Sequence, residues 1–491
     1  MKKQVVNPYL PSWEYVPDGE PHVFGDRVYL YGSHDRFNGE FYCELDYVCW
    51  SAPIEDLSDW RYEGVIYSKK QDPSYGEDGL CMWAPDVCIG PDGQYYMYYC
   101  GAFSCWIGVA RSPRPEGPYA YYGRVKHSDG TIYGNKCGDM PFDPGVLADS
   151  DGKIWLYSGF AKPEKDFQEM IRSRFGLNIT GEGSVVMELE RDMLTIKSHK
   201  LCLPGVINSK GTGFEGHEFY EASSVRKFGG KYYYIYSSIL SHELAYAVSD
   251  HPDRGFVYQG PLHSNANIGF NGQPEATAYW GNNHGSVEYI HGDYYIFGHR
   301  QTNGTEFSRQ GVAEKIVMNS DGTFQMAEMT SCGLNDGPLA ANGRYEAGIA
   351  CVLMGKNGAE KSTLWFDGRK CHPYITQDGG DRNNDPGQYI ANFGDGCLCG
   401  YKYFRIDTPK TDILVSYRAH AGKTGAGKLI VGTGLGFFQM VSYCDVDVDD
   451  DIRSAQMDLK LAPGTYPLYI KYEGTGSLDL MYITFDERKG E

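Results

Sequence analysis

The sequence predicts an all-β chain: a five-bladed β-propeller over residues 1–325, followed by a β-sandwich of the jelly-roll type over residues 340–491. Three observations carry this expectation. A short pattern returns five times: a Gly or Asp turn, a strand dense in aromatics, then a second strand. Turn formers run through the whole chain, with 62 Gly and 24 Pro, while helical periodicity is nearly absent. Near residue 320 the pattern stops, and strands of different spacing take over from about Tyr345.

The first strands of the five units read Arg27-Val28-Tyr29-Leu30-Tyr31, Tyr95-Tyr96-Met97-Tyr98, Ile154-Trp155-Leu156-Tyr157, Tyr232-Tyr233-Tyr234-Ile235-Tyr236 and Tyr294-Tyr295-Ile296-Phe297. Each is introduced by a tight turn such as Asp92-Gly93 or Asp151-Gly152. The second strands follow at Tyr47–Ser51, Trp106–Ala110, Ser184–Glu188, Leu244–Val248 and Gln310–Glu314. Small sheets repeating in this way are the signature of a propeller. The one helical candidate lies near Asp166 to Arg174. Beyond residue 340, runs such as Ile413–Tyr417, Tyr466–Tyr472 and Leu478–Phe485 alternate as strands with one buried face.

Each unit carries an ionisable residue at a nearly constant distance ahead of its aromatic strand. Asp18 precedes Tyr31 by 13 positions, Asp86 precedes Tyr98 by 12, Asp143 precedes Tyr157 by 14, Glu221 precedes Tyr236 by 15, and His284 precedes Phe297 by 13. Equal offsets within equal blades converge on one axis. Several carboxylates in one small site repel one another and spread their proton affinities, so one stays protonated beside an ionised neighbour. That pairing of acid and base is what glycosidic bond hydrolysis requires.

Bulk properties narrow the partners. A net charge of −19, spread along the chain, argues against nucleic acid and against an anionic membrane surface. The excess of 40 Tyr and 22 Phe fits strand propensity first and sugar stacking second. The 14 Cys show no zinc spacing, and the start Met1-Lys2-Lys3 leads into no apolar segment. Both point to a cytoplasmic, reducing setting. The oligomeric state is left open.

The segments around these residues resemble glycoside hydrolase family 43 over roughly residues 7 to 320. The resemblance rests on Asn7-Pro8 with Pro17-Asp18 and Gly25–Tyr31, on Trp83-Ala84-Pro85-Asp86, on Phe142-Asp143-Pro144, on Glu221–Lys227, and on His284-Gly285-Ser286-Val287, all in order. It implies a five-bladed inverting glycosidase with Asp18 as general base, Asp143 as the residue that tunes and orients, and Glu221 as general acid. Glu20 competes with Asp18, because the opening here reads Asp18-Gly19-Glu20-Pro21; Glu218 competes with Glu221. Spacing to the following strand favours Asp18 and Glu221. Inversion needs a water between base and sugar, hence carboxyls about 6.5–9.5 Å apart.

The resemblance further implies exo action on terminal pentoses of plant-derived oligosaccharides, as a β-xylosidase or α-L-arabinofuranosidase. A β-galactofuranosidase, a phosphorylase and a non-catalytic sugar-binding propeller are the alternatives. Trp83, Asp86, Phe142, His284 and one of Arg300 and Arg309 are expected to meet substrate, with loops 161–182 and 261–283 setting specificity. Asp35 and His34 are expected to be structural or to line the rim. No cofactor is needed for the chemistry, although His284 is a candidate for an axial ion. The C-terminal segment resembles a family 6 carbohydrate-binding module, with Glu346 and Asp479 or Asp486 as candidates for a structural calcium.

Overall fold

The computed structural model describes residues 4–76, 79–134, 140–363, 367–382 and 387–487. The first nineteen strands form five separate antiparallel sheets in chain order. The first sheet holds β1 (Glu20–Phe24), β2 (Arg27–Tyr31), β3 (Tyr47–Pro53) and β4 (Arg61–Tyr67). The second holds β5 (Met82–Ile89), β6 (Tyr95–Gly101), β7 (Ile107–Ser112) and β8 (Ala120–Arg124). The third holds β9 (Gly145–Ala148), β10 (Ile154–Ser158), β11 (Gly183–Leu189) and β12 (Ile196–Pro204), with helix α1 (Lys165–Phe175) inserted before β11. The fourth holds β13 (Phe219–Phe228), β14 (Lys231–Ser238), β15 (Glu243–Ser249) and β16 (Val257–Ser264). The fifth is three-stranded: β17 (Val287–Ile290), β18 (Asp293–Gln301) and β19 (Arg309–Ile316).

The first strands lie side by side. β5 contacts β1 and β9, β9 contacts β13, and β17 contacts β1. A Ser224 to Ser286 hydroxyl bond of 2.7 Å joins the fourth sheet to the fifth, and Gly19 bridges Gly285. The turns that open each second strand follow their chemistry. At Asp151-Gly152, the Asp149 N–H donates to Lys153 C=O (2.8 Å) and the Gly152 N–H to Asp149 C=O (2.9 Å). Gly152 sits at φ 84°, a conformation that costs glycine least.

The repeated tyrosines have a structural role that explains their number. The Tyr31 hydroxyl donates to Pro115 C=O, Tyr98 to Met193 C=O, Tyr157 to Pro252 C=O and Tyr233 to Gly322 C=O, each at 2.8 Å. The first three acceptors lie between the third and fourth strands of the next sheet; the fourth lies just beyond β19. Each ring fills the apolar layer between neighbouring sheets while its hydroxyl latches the next one. Tyr98, Val109, Val146, Leu156 and Met187 form one such layer.

Beyond residue 338 twelve further strands form two six-stranded sheets. Strands β20 (Leu339–Ala340), β21 (Gly343–Glu346), β22 (Val352–Met354), β23 (Tyr374–Gln377), β24 (Gln388–Gly394) and β25 (Leu398–Ile406) come first. They are followed by β26 (Thr411–Ala419), β27 (Gly425–Thr433), β28 (Gln439–Val448), β29 (Arg453–Asp458), β30 (Gly464–Gly474) and β31 (Ser477–Glu487). Alternate residues of β26 and β31, such as Ile413, Val415, Leu478 and Leu480, share one core with Leu429, Leu468 and Ile470 of the other sheet. Polar contacts tie this half to the first. Arg382 reaches the buried Glu14 (2.7 Å), the Tyr15 hydroxyl donates to Gln377 (2.6 Å), and the Phe37 N–H donates to Asp381 (3.0 Å).

Among the described residues every cysteine is free, and no helix is long and apolar enough to cross a membrane.

Candidate active site

A cavity of about 430 Å³ is lined by Asp18, Asp143, Glu221 and His284, with Trp83, Phe142 and Arg309. These seven residues are spread over nearly three hundred positions. The strand starts bring them together. Asp18 and Asp143 each stand two residues before the first strand of their sheet, at φ 58° and 43°. Ala84 (φ 35°) and Ala222 (φ 66°) occupy the matching places in the second and fourth sheets. In each case the residue two positions later pairs with the second strand: Glu20 with Tyr31, Asp86 with Tyr98, Gly145 with Tyr157 and Ser224 with Ile235. A left-handed kink thus recurs at one level of the ring, a conformation that Asp tolerates better than most residues. Glu221 immediately precedes its kink, where the β13–β14 ladder breaks register.

This register corrects one expectation. Asp86 aligns with Glu20 and Ser224, not with Asp18, so it lies one pleat further along the inner strand. It does not line the cavity. It is buried, faces His22 Nε2 at 2.6 Å and accepts from the N–H groups of Val87 and Val146. The same level holds Glu20, paired with Arg226 at 2.7 Å, which places Glu20 outside the cavity as well. Glu218 also lies outside it, bonded to the Ser209 hydroxyl (2.9 Å) and the Gly216 N–H (3.0 Å).

The electrostatics separate the three carboxyls. Burial by itself would raise Asp18. Arg309 Nη1 at 2.9 Å and His299 Nδ1 at 3.2 Å outweigh it and hold Asp18 well below the usual carboxylate range. Asp143 is raised by burial and by the Asp18 charge, against the pull of His284 at 3.5 Å and the Ala222 N–H. Glu221 is pushed up to about 8, first by burial and then by the neighbouring Asp143. One buried pocket therefore holds an ionised carboxylate and a protonated carboxylic acid near neutral pH.

Arg309 is fixed by a second carboxylate. Asp35, fully buried, accepts from Arg309 Nε (2.9 Å), Nη2 (3.1 Å) and the Arg309 N–H (3.0 Å). His34 is structural, held between Glu14 (3.1 Å) and Asp46 C=O (2.7 Å). Of the two candidate arginines the cavity takes Arg309 and leaves out Arg300. Its guanidinium turns away from the cavity to Gln310 (3.0 Å), Ala350 C=O and Gln388 (both 3.3 Å), and burial pulls it down to about 10. It joins the two halves of the chain.

Trp83 and Phe142 meet edge to face at 5.3 Å, and Trp83 meets Phe103 at the same distance. With Phe41 and Phe160 they give the cavity an aromatic wall that fits the C–H faces of a sugar. The segment carrying α1 supplies Phe160, Lys162, Glu164 and Phe167, and residues 281–282 supply Gly281 and Asn282.

The ring nitrogens of His284, the candidate for an axial ion, face Asp143 (3.5 Å) and Glu20 (3.7 Å), which raise it well above 6.5 against the effect of burial. Among the described residues one trio, Glu20, His22 and Asp86, has ligand atoms close enough to share a metal. Arg226 already sits among them, bonded to Glu20 and, at 3.4 Å, to Glu288. Of the C-terminal calcium candidates, Asp479 is occupied by His420 (2.7 Å) and Arg418 (3.3 Å), and Glu346 accepts from the Gln388 N–H (3.0 Å). Asp486 is exposed.

Residues 14–324 match the family described as glycosyl hydrolases family 43. The chain belongs to glycosyl hydrolases family 43. A xylosidase/arabinosidase of Thermoclostridium stercorarium is 44% identical over 99% of each chain. A β-xylosidase of Xylanibacter ruminicola is 28% identical and covers 64% of this chain and 97% of its own. The crystal structure of a family 43 arabinoxylan arabinofuranohydrolase from Bacillus subtilis, in complex with cellotetraose, shares the fold. It covers 98% of this chain and 97% of its own, with a TM-score of 0.52 at 21% identity.

This family 43 glycoside hydrolase also lines its cavity with residues that sequence reasoning missed. Glu306 accepts from the Tyr42 hydroxyl and is pushed up by burial. Lys361, Ser362 and Thr363 come from the C-terminal half. No repeat offset marks any of them, because they lie in connections.

Proposed function

We propose that the chain is an inverting, exo-acting glycosidase that removes terminal pentoses from oligosaccharides, as a β-xylosidase or α-L-arabinofuranosidase. The observation that carries this is the division of labour among three carboxyls in one cavity. Asp18 is held ionised by Arg309 and His299, while Glu221 is held protonated by burial and Asp143. In this reading Asp18 takes a proton from water as the water oxygen attacks the anomeric carbon. Glu221 donates its proton to the glycosidic oxygen as the C–O bond breaks. Asp143 keeps Glu221 protonated and accepts from a sugar hydroxyl. The xylosidase/arabinosidase relative of Thermoclostridium stercorarium supports the pentose class.

The same reading takes the five sheets of residues 1–325 as a five-bladed propeller, with the cavity where their first strands meet. Residues 340–491 are taken as a sandwich module of the carbohydrate-binding type that buttresses the propeller. The free cysteines support a reducing, cytoplasmic setting.

The test is hydrolysis of nitrophenyl β-D-xylopyranoside and α-L-arabinofuranoside by the wild type, Glu221→Ala and Asp18→Asn. Each variant is expected to lose at least about 100-fold in kcat/KM. Unchanged rates in both would contradict the assignment.

A further inference from the structure

Two connections meet at the cavity beside Asp18. Residues 32–46 join β2 to β3 in the first sheet, and residues 302–308 join β18 to β19 in the fifth. They bond to each other: the Asn38 N–H donates to the Ser308 hydroxyl (3.1 Å), and the Asn303 side-chain amide donates to the Asn38 side-chain oxygen (3.2 Å). The first connection brings Tyr42 to the cavity and the second brings Glu306. The Tyr42 hydroxyl donates to Glu306, and Phe307 meets the Tyr42 ring edge to face at 5.0 Å. The Arg309 guanidinium carbon lies 4.9 Å from the Tyr42 ring centroid, within cation–π range, while its Nη1 bonds Asp18 at 2.9 Å. Glu306 is thus joined to Asp18 through Tyr42 and Arg309.

The C-terminal half grips both connections. The Asn303 N–H donates to Ile375 C=O (2.7 Å), the Thr376 hydroxyl to the Asn303 side-chain oxygen (3.0 Å), the Gly368 N–H to Gly304 C=O (3.0 Å) and Arg369 Nη1 to Asn38 (3.2 Å). A Cβ on Gly304 would meet Arg369 Cγ at 2.7 Å, so the two halves fit closely here. Glu306 is held in this frame at 9% exposure. Among the described residues the Tyr42 hydroxyl is the one hydrogen-bond donor to its carboxyl, at Oε2. A carboxyl so nearly buried with a single donor has acceptor capacity left for a ligand in the cavity.

In a single displacement the base and the acid act from opposite sides of the anomeric carbon, and the departing group lies toward the acid. A group joined to Asp18 therefore faces the terminal sugar. We propose that Glu306, oriented by Tyr42, binds a ring hydroxyl of the terminal sugar and so helps select it. The ligand class is a neutral glycosyl ring whose hydroxyl proton the carboxyl accepts. A sugar lacking that hydroxyl would leave a buried acceptor unpaired and be rejected. This rests on the glycosidase reading of the same cavity. Glu306 takes no part in bond cleavage.

The experiment keeps the leaving group fixed and varies the terminal sugar. Its substrates are the nitrophenyl pentoside that the wild type cleaves faster and the forms of it that each lack one ring hydroxyl. Glu306→Ala is expected to lose about tenfold in kcat/KM on the parent and to match the wild type within about twofold on one of the deoxy forms. Glu306→Gln, which keeps the side-chain volume and an acceptor oxygen, should show the same pattern with a smaller loss. A loss of equal size on the parent and on every deoxy form would overturn the assignment while leaving the glycosidase reading intact. So would a loss confined to a pentose disaccharide, which would put Glu306 against the leaving sugar. Failure of the wild type to cleave any nitrophenyl pentoside would overturn the glycosidase reading and this assignment with it.

Discussion

Arg309 joins Asp18 to Asp35: its Nη1 lies 2.9 Å from the Asp18 carboxylate, while Nε and Nη2 lie 2.9 and 3.1 Å from Asp35. All three side chains are buried. The fork geometry fixes the guanidinium on Asp35, so its remaining N–H groups reach Asp18 without a search over rotamers. One carboxylate holds the arginine, and the arginine holds the other carboxylate in its charged form.

Replacing Arg309 should therefore change the acidity of Asp18 as well as the rate. The positive charge favours ionised Asp18, so Arg309→Met raises its proton affinity. The low-pH limb of the kcat/KM profile is expected to move to higher pH. A fall of at least about 100-fold at the optimum should accompany it. A full pH profile checks the claim; a limb that stays in place would show that Arg309 does not set the state of Asp18.

The opposite limb belongs to Glu221. Activity should decline as pH rises past about 8, where the acid loses its proton. Asp143 is one of the causes of that elevation, so Asp143→Asn should lower the proton affinity of Glu221 and draw the high-pH limb downward. An upward shift on the same profile would contradict the assigned roles.

The tyrosine latches between sheets predict a loss of stability without a loss of chemistry. Tyr98→Phe keeps the buried ring but leaves Met193 C=O without its 2.8 Å donor. The expected cost is about 1–2 kcal/mol, read as a lower urea midpoint. Tyr98 does not line the cavity, so kcat/KM should stay within about twofold.

The Arg226 network predicts a larger loss. Its guanidinium bonds the buried Glu20 (2.7 Å) and Pro21 C=O (3.1 Å) and lies 3.4 Å from the mostly buried Glu288. Arg226→Met strands buried carboxylates and should destabilise by about 3–5 kcal/mol. Thermal unfolding checks this. A neutral effect would mean that another cation already balances those charges.

Much of this was legible in the sequence because repetition makes distant residues comparable. The Gly and Asp turns and the aromatic strands located the sheets, and Asp18, Asp143, Glu221 and His284 do share a cavity. The helix expected near Asp166 to Arg174 runs Lys165–Phe175, ended by Gly176 at φ 70°. Asp86 was misplaced by two residues. The kink at Ala84 and the pairing of Asp86 with Tyr98 show the true alignment, and an alanine gives no sign of such a kink. Arg300 and Arg309 could not be told apart because β18 and β19 pair antiparallel and the sequence does not say which face is inward. Glu306 and Lys361 carried no signal at all. Their positions depend on loop contacts between residues far apart, such as Tyr42 with Glu306 and Trp280 with Lys361.

The central claim is a single displacement in which Asp18 activates water and Glu221 protonates the leaving oxygen. Proton NMR of the anomeric signals, followed during hydrolysis of an aryl β-xyloside, tests it most directly. The account predicts that α-xylose appears first and then mutarotates. β-Xylose as the first product would mean retention through a covalent intermediate and would contradict it.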